Sequence, residues 1–207
     1  MTEAAFGLFG TGGAARAIMP WAARHCGDSR IMFVDVAASA PLNDYPVIAE
    51  EAFLTQIAKR TFTVAVGEPE LRQCIAERAE AAGAIARTLL SDDAVILDPS
   101  GIGAGAIICP GAITTADVTI GRHVFINIHA SVEHDCVVGD FATISPGARL
   151  NGAVCIGRGA FIGAGAILRE GITVGAGSMI GMGAVVLSDV EAGETVAGNP
   201  ARTLRRA

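Results

Sequence analysis

The chain has 207 residues, enough for two modest domains that each hold a core of their own. Apolar residues make up 51% and charged ones 17%, a balance that leaves apolar surface for an oligomer interface. The net charge of −6, with no basic run interleaved with aromatics, argues against a nucleic-acid binder.

The opening residues MTEAAFGLFG carry no basic region before the apolar run, so no signal peptide is expected. No apolar stretch is long enough for a transmembrane span. Residues 5–10 read as a short buried strand ending in glycine, followed by AARAIMPWAARH at helical spacing. Pro20 lies inside that run and is expected to kink or break the helix. Further strands are expected at 30–36, ending in Asp35, and at 61–67, with helices over AEEAFLTQIAK and over 69–83. Alternation at this spacing predicts a small Rossmann-like parallel α/β domain of three or four strands over residues 1–92. Its segment Gly10-Thr11-Gly12-Gly13-Ala14-Ala15-Arg16 stands between strand and helix, where backbone N–H groups can hold a phosphate. Asp35 falls where a dinucleotide domain keeps its ribose-binding acid. So few strands leave little room for NAD, and a nucleoside-diphosphate ligand needs less space; a tight turn without ligand is the plainer alternative.

From residue 93 to 190 a different period takes over. Counting by sixes from Ile96 to Val186 lands on an aliphatic residue at every stop but Thr114, with a small or β-branched residue two places before nearly every stop. This is the hexapeptide pattern of a parallel β-helix, in which three hexads close one triangular coil. Residues 18 apart should therefore stack, and the sixteen hexads give a prism roughly 25 Å tall at one strand spacing per coil. Gly103, Gly121, Gly139, Gly157 and Gly175 follow every third stop, and a turn with positive φ is the expected reason. Residues 191–207 leave this register as a C-terminal tail. The five cysteines (Cys26, Cys74, Cys109, Cys136 and Cys155) include no CxxC pair and read as the reduced thiols of a cytoplasmic protein.

His134 is the strongest catalytic candidate. It sits at a prism corner between Glu133 and Asp135, and a histidine beside carboxylates is suited to general-base work. One coil further, Gly152 places a backbone N–H near the histidine, which is the pairing of base and oxyanion donor that acyl transfer needs. His123 and His129 occupy equivalent places on consecutive hexads. His129 and His134 could bracket a zinc ion if a neighbouring subunit supplied a third ligand, as in γ-class carbonic anhydrases. Arg202, Arg205 and Arg206 are candidates for the phosphates of a large anionic cofactor, or simply a solvated tail.

GTGGAAR, the strand ending in Asp35, VAVGEPELR, Asn127, VEHDCVVGDF around His134 and the closing GNPAR together resemble, in residue and in order, the PglD-type nucleotide-sugar acetyltransferases and the related NeuD-type sialic acid O-acetyltransferases. The resemblance covers nearly the whole chain. It implies a left-handed parallel β-helix after the α/β domain, a homotrimer, and acetyl-CoA in the groove between adjacent prisms. His134 would be the base, Asp135 its support, Asn127 a neighbour, and Gly152 the donor at the thioester oxygen. Gly163, Gly181, Asn199 and Pro200 would line the CoA groove, while Gly10, Gly12, Gly13, Asp35 and Gly67 would contact the nucleotide sugar, with no bound metal. Two departures stand out: Ala14 and Thr143 occupy places where many members of the family carry histidine.

The expected activity is N-acetylation of a nucleotide-linked amino sugar by direct transfer, serving polysaccharide or glycan synthesis. O-acetylation of a sialic-acid-type sugar, a zinc lyase and a non-catalytic nucleotide-sensing scaffold are the alternatives.

Overall fold

The computed structural model describes residues 5–25, 30–57 and 59–204. The chain divides into two compact units, Met1–Leu89 and Leu90–Ala207. No helix of the described residues is long and apolar enough to cross a membrane.

In the first unit β1 (Ala5–Phe9) leads to α1 (Gly13–His25), β2 (Arg30–Asp35), β3 (Ser39–Leu42), β4 (Tyr45–Ala49), α2 (Glu50–Gln56), β5 (Arg60–Val64), α3 (Pro69–Ala81) and β6 (Ile85–Ala86). The strands form one sheet in the order β3-β4-β2-β1-β5-β6, parallel except for the β3–β4 pair. The sheet thus has six strands where three or four were expected. The additional hairpin closes through Asn43 and Asp44, both with positive φ (48° and 67°), the backbone that a two-residue hairpin turn requires and that Asn and Asp tolerate. Helix α1 also runs unbroken through Pro20. Pro20 and Arg16 lie on its exposed face, where water can satisfy the Arg16 carbonyl that proline leaves without a donor. Burial of Phe6, Phe9, Phe33, Phe53 and Phe62 makes the core. A Cβ on Gly7 would stand 2.7 Å from the Phe53 ring, so glycine there is what lets α2 pack down on the sheet, with Phe53 edge-on to Phe9.

As far as Val186 the second unit is built from two-residue strands that pair in parallel with strands 18 residues away, as in Ile113↔Ser131, Ser131↔Arg149 and Arg149↔Ile167. The strands make three faces of six, four and eight members. From Ala106 on, side chains at each stop and two places before it turn inward: Ala130 and Val132, Ala148 and Leu150, Ala166 and Leu168 have no solvent exposure. Thr114, the one polar stop, also points inward, and its Oγ1 is buried without a hydrogen-bond partner. The unit is a left-handed parallel β-helix. Thr195–Ala197 and Arg202–Thr203 extend the eight-stranded face, the former pairing with Met179–Ile180.

The recurring corner glycines have a different cause from the one expected. None of Gly103, Gly121, Gly139, Gly157 and Gly175 has a left-handed φ. A Cβ on each would instead stand 2.4–2.7 Å from an atom of the next coil, for example 2.4 Å from Ala176 N at Gly157. Close stacking of coils excludes a side chain there. The left-handed residue of each turn comes two places later and includes Asp117, His123, His129, Asp135, Phe141 and Ala153. At this corner His123 lies over Gly105, stacks on Phe141 with ring centroids 5.3 Å apart, and Arg158 covers Phe141 at 4.8 Å. The ladder gives the strained corner residues packing that a bare turn lacks.

Candidate active site

On the prism, the corner after Ser131–Val132 presents Glu133, His134 and Asp135. Asp135 adopts a left-handed φ of 61° and its Oδ2 lies 2.8 Å from His134 Nδ1. That contact, followed by the charges of Asp135 and Glu133, raises the imidazole pKa above its ordinary value. With Nδ1–H donated to the carboxylate, Nε2 carries the free lone pair, so the ring is oriented as a base toward solvent. Its side chain is 63% exposed.

Gly152 lies directly over this ring, as the 18-residue register demands. A Cβ on it would stand 2.5 Å from His134 Cε1 and 2.7 Å from Nε2. Gly152 is buried, its carbonyl accepts from Gly171 N at 2.9 Å, and its own N–H has no acceptor among the described residues. A buried N–H left unclaimed beside a base is a donor available to an incoming oxygen.

The six-stranded face beside this corner carries an open groove of about 680 Å³. Leu97, Ile113 and Ala116 supply its apolar part; Ser131, Arg149 and Asn151 join His129, Glu133 and His134 on its polar part. Sequence reasoning passed over Ser131, Arg149 and Asn151. Their signal was present: Asn151 is the 18-residue successor of Glu133, and Ser131 and Arg149 occupy the outward position before successive stops on one face. His129 and His134 line the same groove, but no group of three or more His, Cys, Asp or Glu side chains among the described residues is placed to hold a metal ion.

Other expected members of the site lie elsewhere on the prism. Asn127 follows a strand of the eight-stranded face rather than of the six-stranded one. Its Oδ1 accepts from Ile128 N at 2.8 Å, capping its own turn. Gly163 and Gly181 share Asn127's corner, each pressed against the following coil; a Cβ would meet Ile180 O at 2.6 Å and the Ala197 Cβ at 2.7 Å respectively. The Gly198–Ala201 segment, which holds Asn199 and a cis Pro200, docks on Val185 through Val185 N to Gly198 O and Ala201 N to Val185 O. Thr143 is buried. Exposed Arg202 donates to the Ala201 carbonyl, while Arg205 and Arg206, like Cys26, lie outside the described residues.

In the α/β unit, the ends of β1, β2 and β5 meet at the switch in strand order, where doubly wound sheets bind ligands. Gly10 has φ +103°, a backbone closed to most residues, and a Cβ there would be 3.3 Å from Val66. Gly12, Gly13 and Gly67 differ: a Cβ on any of them meets nothing within 4 Å, so the glycines border open space. Helix α1 starts at Gly13, with no acidic residue in its first turn, and its N-terminal N–H groups favour an anion. Asp35 is braced at this mouth. Its Oδ2 accepts from the Thr11 hydroxyl and its Oδ1 from Val36 N at 2.7 Å, which leaves lone pairs for a ligand hydroxyl. Ala14 is half-buried in the first turn of α1.

Two family descriptions match the chain: the PglD N-terminal domain over residues 6–79, and the bacterial transferase hexapeptide over 117–152 and 156–188. GDP-perosamine N-acetyltransferase of Escherichia coli O157:H7 is 38% identical over 142 residues, and the match spans 65% of this chain and 64% of that protein. The acetyltransferase domain of PglB from Neisseria gonorrhoeae FA1090, solved with acetyl coenzyme A, superposes with a TM-score of 0.92 at 36% identity, over 98% of this chain and all (100%) of that one. PerB from Caulobacter crescentus, solved with CoA and GDP-perosamine, gives a TM-score of 0.89 at 30% identity, over 97% of each chain.

Proposed function

The chain belongs to the PglD-like sugar acetyltransferases of the hexapeptide-repeat superfamily, and on that premise we propose that it moves the acetyl group of acetyl-CoA to the amine of a nucleotide-linked amino sugar. The observation that carries this reading is the His134–Asp135 pair with the unclaimed Gly152 N–H against the same ring. His134 Nε2 takes a proton from the attacking amine as its nitrogen bonds to the acetyl carbonyl carbon. The carbonyl oxygen gathers charge and receives the Gly152 N–H. The C–S bond then breaks, and CoA leaves as the thiolate, which takes up the proton from His134. Direct transfer is further supported by the thiols of the described residues: none lines the His134 groove, and burial pushes Cys136 up to about 11 and Cys109 up to about 12.

The N-acetyltransferase activity named for the Escherichia coli relative supports an amine acceptor for this chain too. The glycine turn and Asp35 would receive the nucleotide. Exposed Val95, Ile113 and Ile167 on the six-stranded face are apolar surface for a neighbouring copy in a homotrimer, whose prism would complete the CoA groove with Gly163, Gly181, Asn199 and Pro200. Thiol release from acetyl-CoA should appear with one of the UDP-, dTDP- or GDP-linked 4-amino sugars. It should be absent with the matching hydroxy-sugars and with free sialic acid. Turnover confined to a hydroxyl would make the chain an O-acetyltransferase, and no turnover with any acceptor would refute the reading.

A pH dependence follows from the pair. The base is competent when neutral, so kcat/KM should rise as pH climbs through the elevated His134 pKa and then level off. Asp135→Asn removes the carboxylate that stabilises the imidazolium, and the rising limb should move to lower pH. An unmoved limb would dissociate the titration from this pair.

A further inference from the structure

Arg72 is among the most deeply buried large side chains of the described residues, 1% exposed, yet it carries a cation. It lies on α3, and its Nη1 donates to the carbonyls of Val66 at 2.6 Å and Gly67 at 3.1 Å. Burial pulls the guanidinium down to about 10, so the group is held at a desolvation cost that an apolar residue would not incur. Helix capping does not account for it. The N-cap of α3 is Glu68, whose carboxylate accepts from Glu70 N at 3.1 Å and Leu71 N at 2.5 Å, with Pro69 in the first turn.

The two carbonyls belong to the segment that leaves β5 at the sheet's switch point. Ala65 N pairs with Phe9 O at 2.9 Å, and Val66 abuts Gly10. In a trans peptide the N–H points opposite to the C=O before it. With the Val66 and Gly67 carbonyls turned in toward Arg72, the N–H groups of Gly67 and Glu68 turn the other way. A Cβ at Gly67 would meet nothing within 4 Å, so this turn borders open space.

We infer that Arg72 is a positioning residue for the nucleotide end of the acceptor: its guanidinium holds the Val66–Gly67 turn in the conformation that receives the ligand. The inference rests on the reading of the glycine turn as the nucleotide site. Both bonds leave Nη1, whose two N–H groups are fixed in the guanidinium plane, whereas a lysine ammonium is a point charge on a flexible stem.

The test uses the full chain, with GDP, UDP and dTDP titrated calorimetrically and steady-state kinetics run on the sugar that turns over. The wild type should bind one of the three nucleotides, and Gly12→Val, whose side chain enters open space, should lose it. Arg72→Met should raise the Kd for that nucleotide and the KM for its sugar about tenfold or more. kcat at saturation and the KM for acetyl-CoA should stay within about twofold. Arg72→Lys should recover part of the loss, and it supplies the reading if the Met variant does not fold. Unchanged nucleotide affinity in Arg72→Met, with loss in Gly12→Val, overturns the inference alone. A parallel rise of both KM values with a lowered melting temperature reduces Arg72 to a general structural role and also overturns it. Unchanged affinity in Gly12→Val removes the turn as the nucleotide site and the inference with it.

Discussion

Replacing His134 by alanine is expected to lower kcat about a thousandfold while the KM for acetyl-CoA changes by no more than about twofold. The imidazole is the only group at this corner that combines a free nitrogen lone pair with a carboxylate partner at 2.8 Å. It is also largely exposed, so its loss opens no cavity and the fold should be unaffected. The residual rate would come from binding and from the Gly152 donor. Gly152→Ala should reach a similar defect by another route. The new Cβ would fall 2.5 Å from His134 Cε1, and the exposed ring, being the softer partner, would swing off Asp135 and away from the acceptor. Single-turnover thiol release with melting curves for each variant makes the comparison; near-wild-type turnover in His134→Ala would remove the base from the mechanism.

The largest stability effect should come from Gly157→Ala. The added Cβ would meet Ala176 N at 2.4 Å, Ala176 Cα at 2.7 Å and Gly175 C at 2.7 Å, all backbone atoms of the next coil. No side chain can yield. The coils must separate locally, at the Gly157 N to Val174 O bond of 2.7 Å, and a loss of about 3 kcal/mol is expected for such overpacking. For a unit of this size that corresponds to a melting temperature lower by roughly 10 °C. Gly159→Ala provides the contrast two residues away. Its φ of +65° disfavours alanine by about 1 kcal/mol, but a Cβ there meets nothing within 4 Å, and Ala153 already holds the same backbone at another corner. Thermal and urea unfolding of the two variants decides between the causes. Equal losses would mean that φ rather than stacking governs both positions.

The prism was legible because its rule is local and repeated. Each hexad must send one aliphatic and one smaller residue inward, and the period of 18 follows from closing a triangle. The stacking of Gly152 over His134 could be read from that count before any coordinates, and the structure reproduces it. The Asp35 end of β2 and the glycine turn were legible for a similar reason, since strand, turn and helix are adjacent in the chain. The β3–β4 hairpin was not, although Asn43-Asp44 was its signal, because Pro41 and Pro46 obscure the alternation of two short strands.

The sequence by itself determined the two-unit organisation of α/β sheet and coil, the inward and outward sides of the hexads from Ala106 on, and the corner that carries His134. Periodic burial is a property of neighbours along the chain, and the apolar pattern records it directly. Only the tertiary structure decided why Gly157 and its counterparts must be glycine, that Asn127 caps its own turn on another corner, that Arg149 and Asn151 join His134 in one groove, and that Arg72 is buried against two carbonyls of the β5 turn. The glycine requirement depends on backbone atoms that approach across coils to within 2–3 Å, while the Asn127 and Arg72 contacts, though short in sequence, depend on turn conformations that the fold imposes and that no residue type announces.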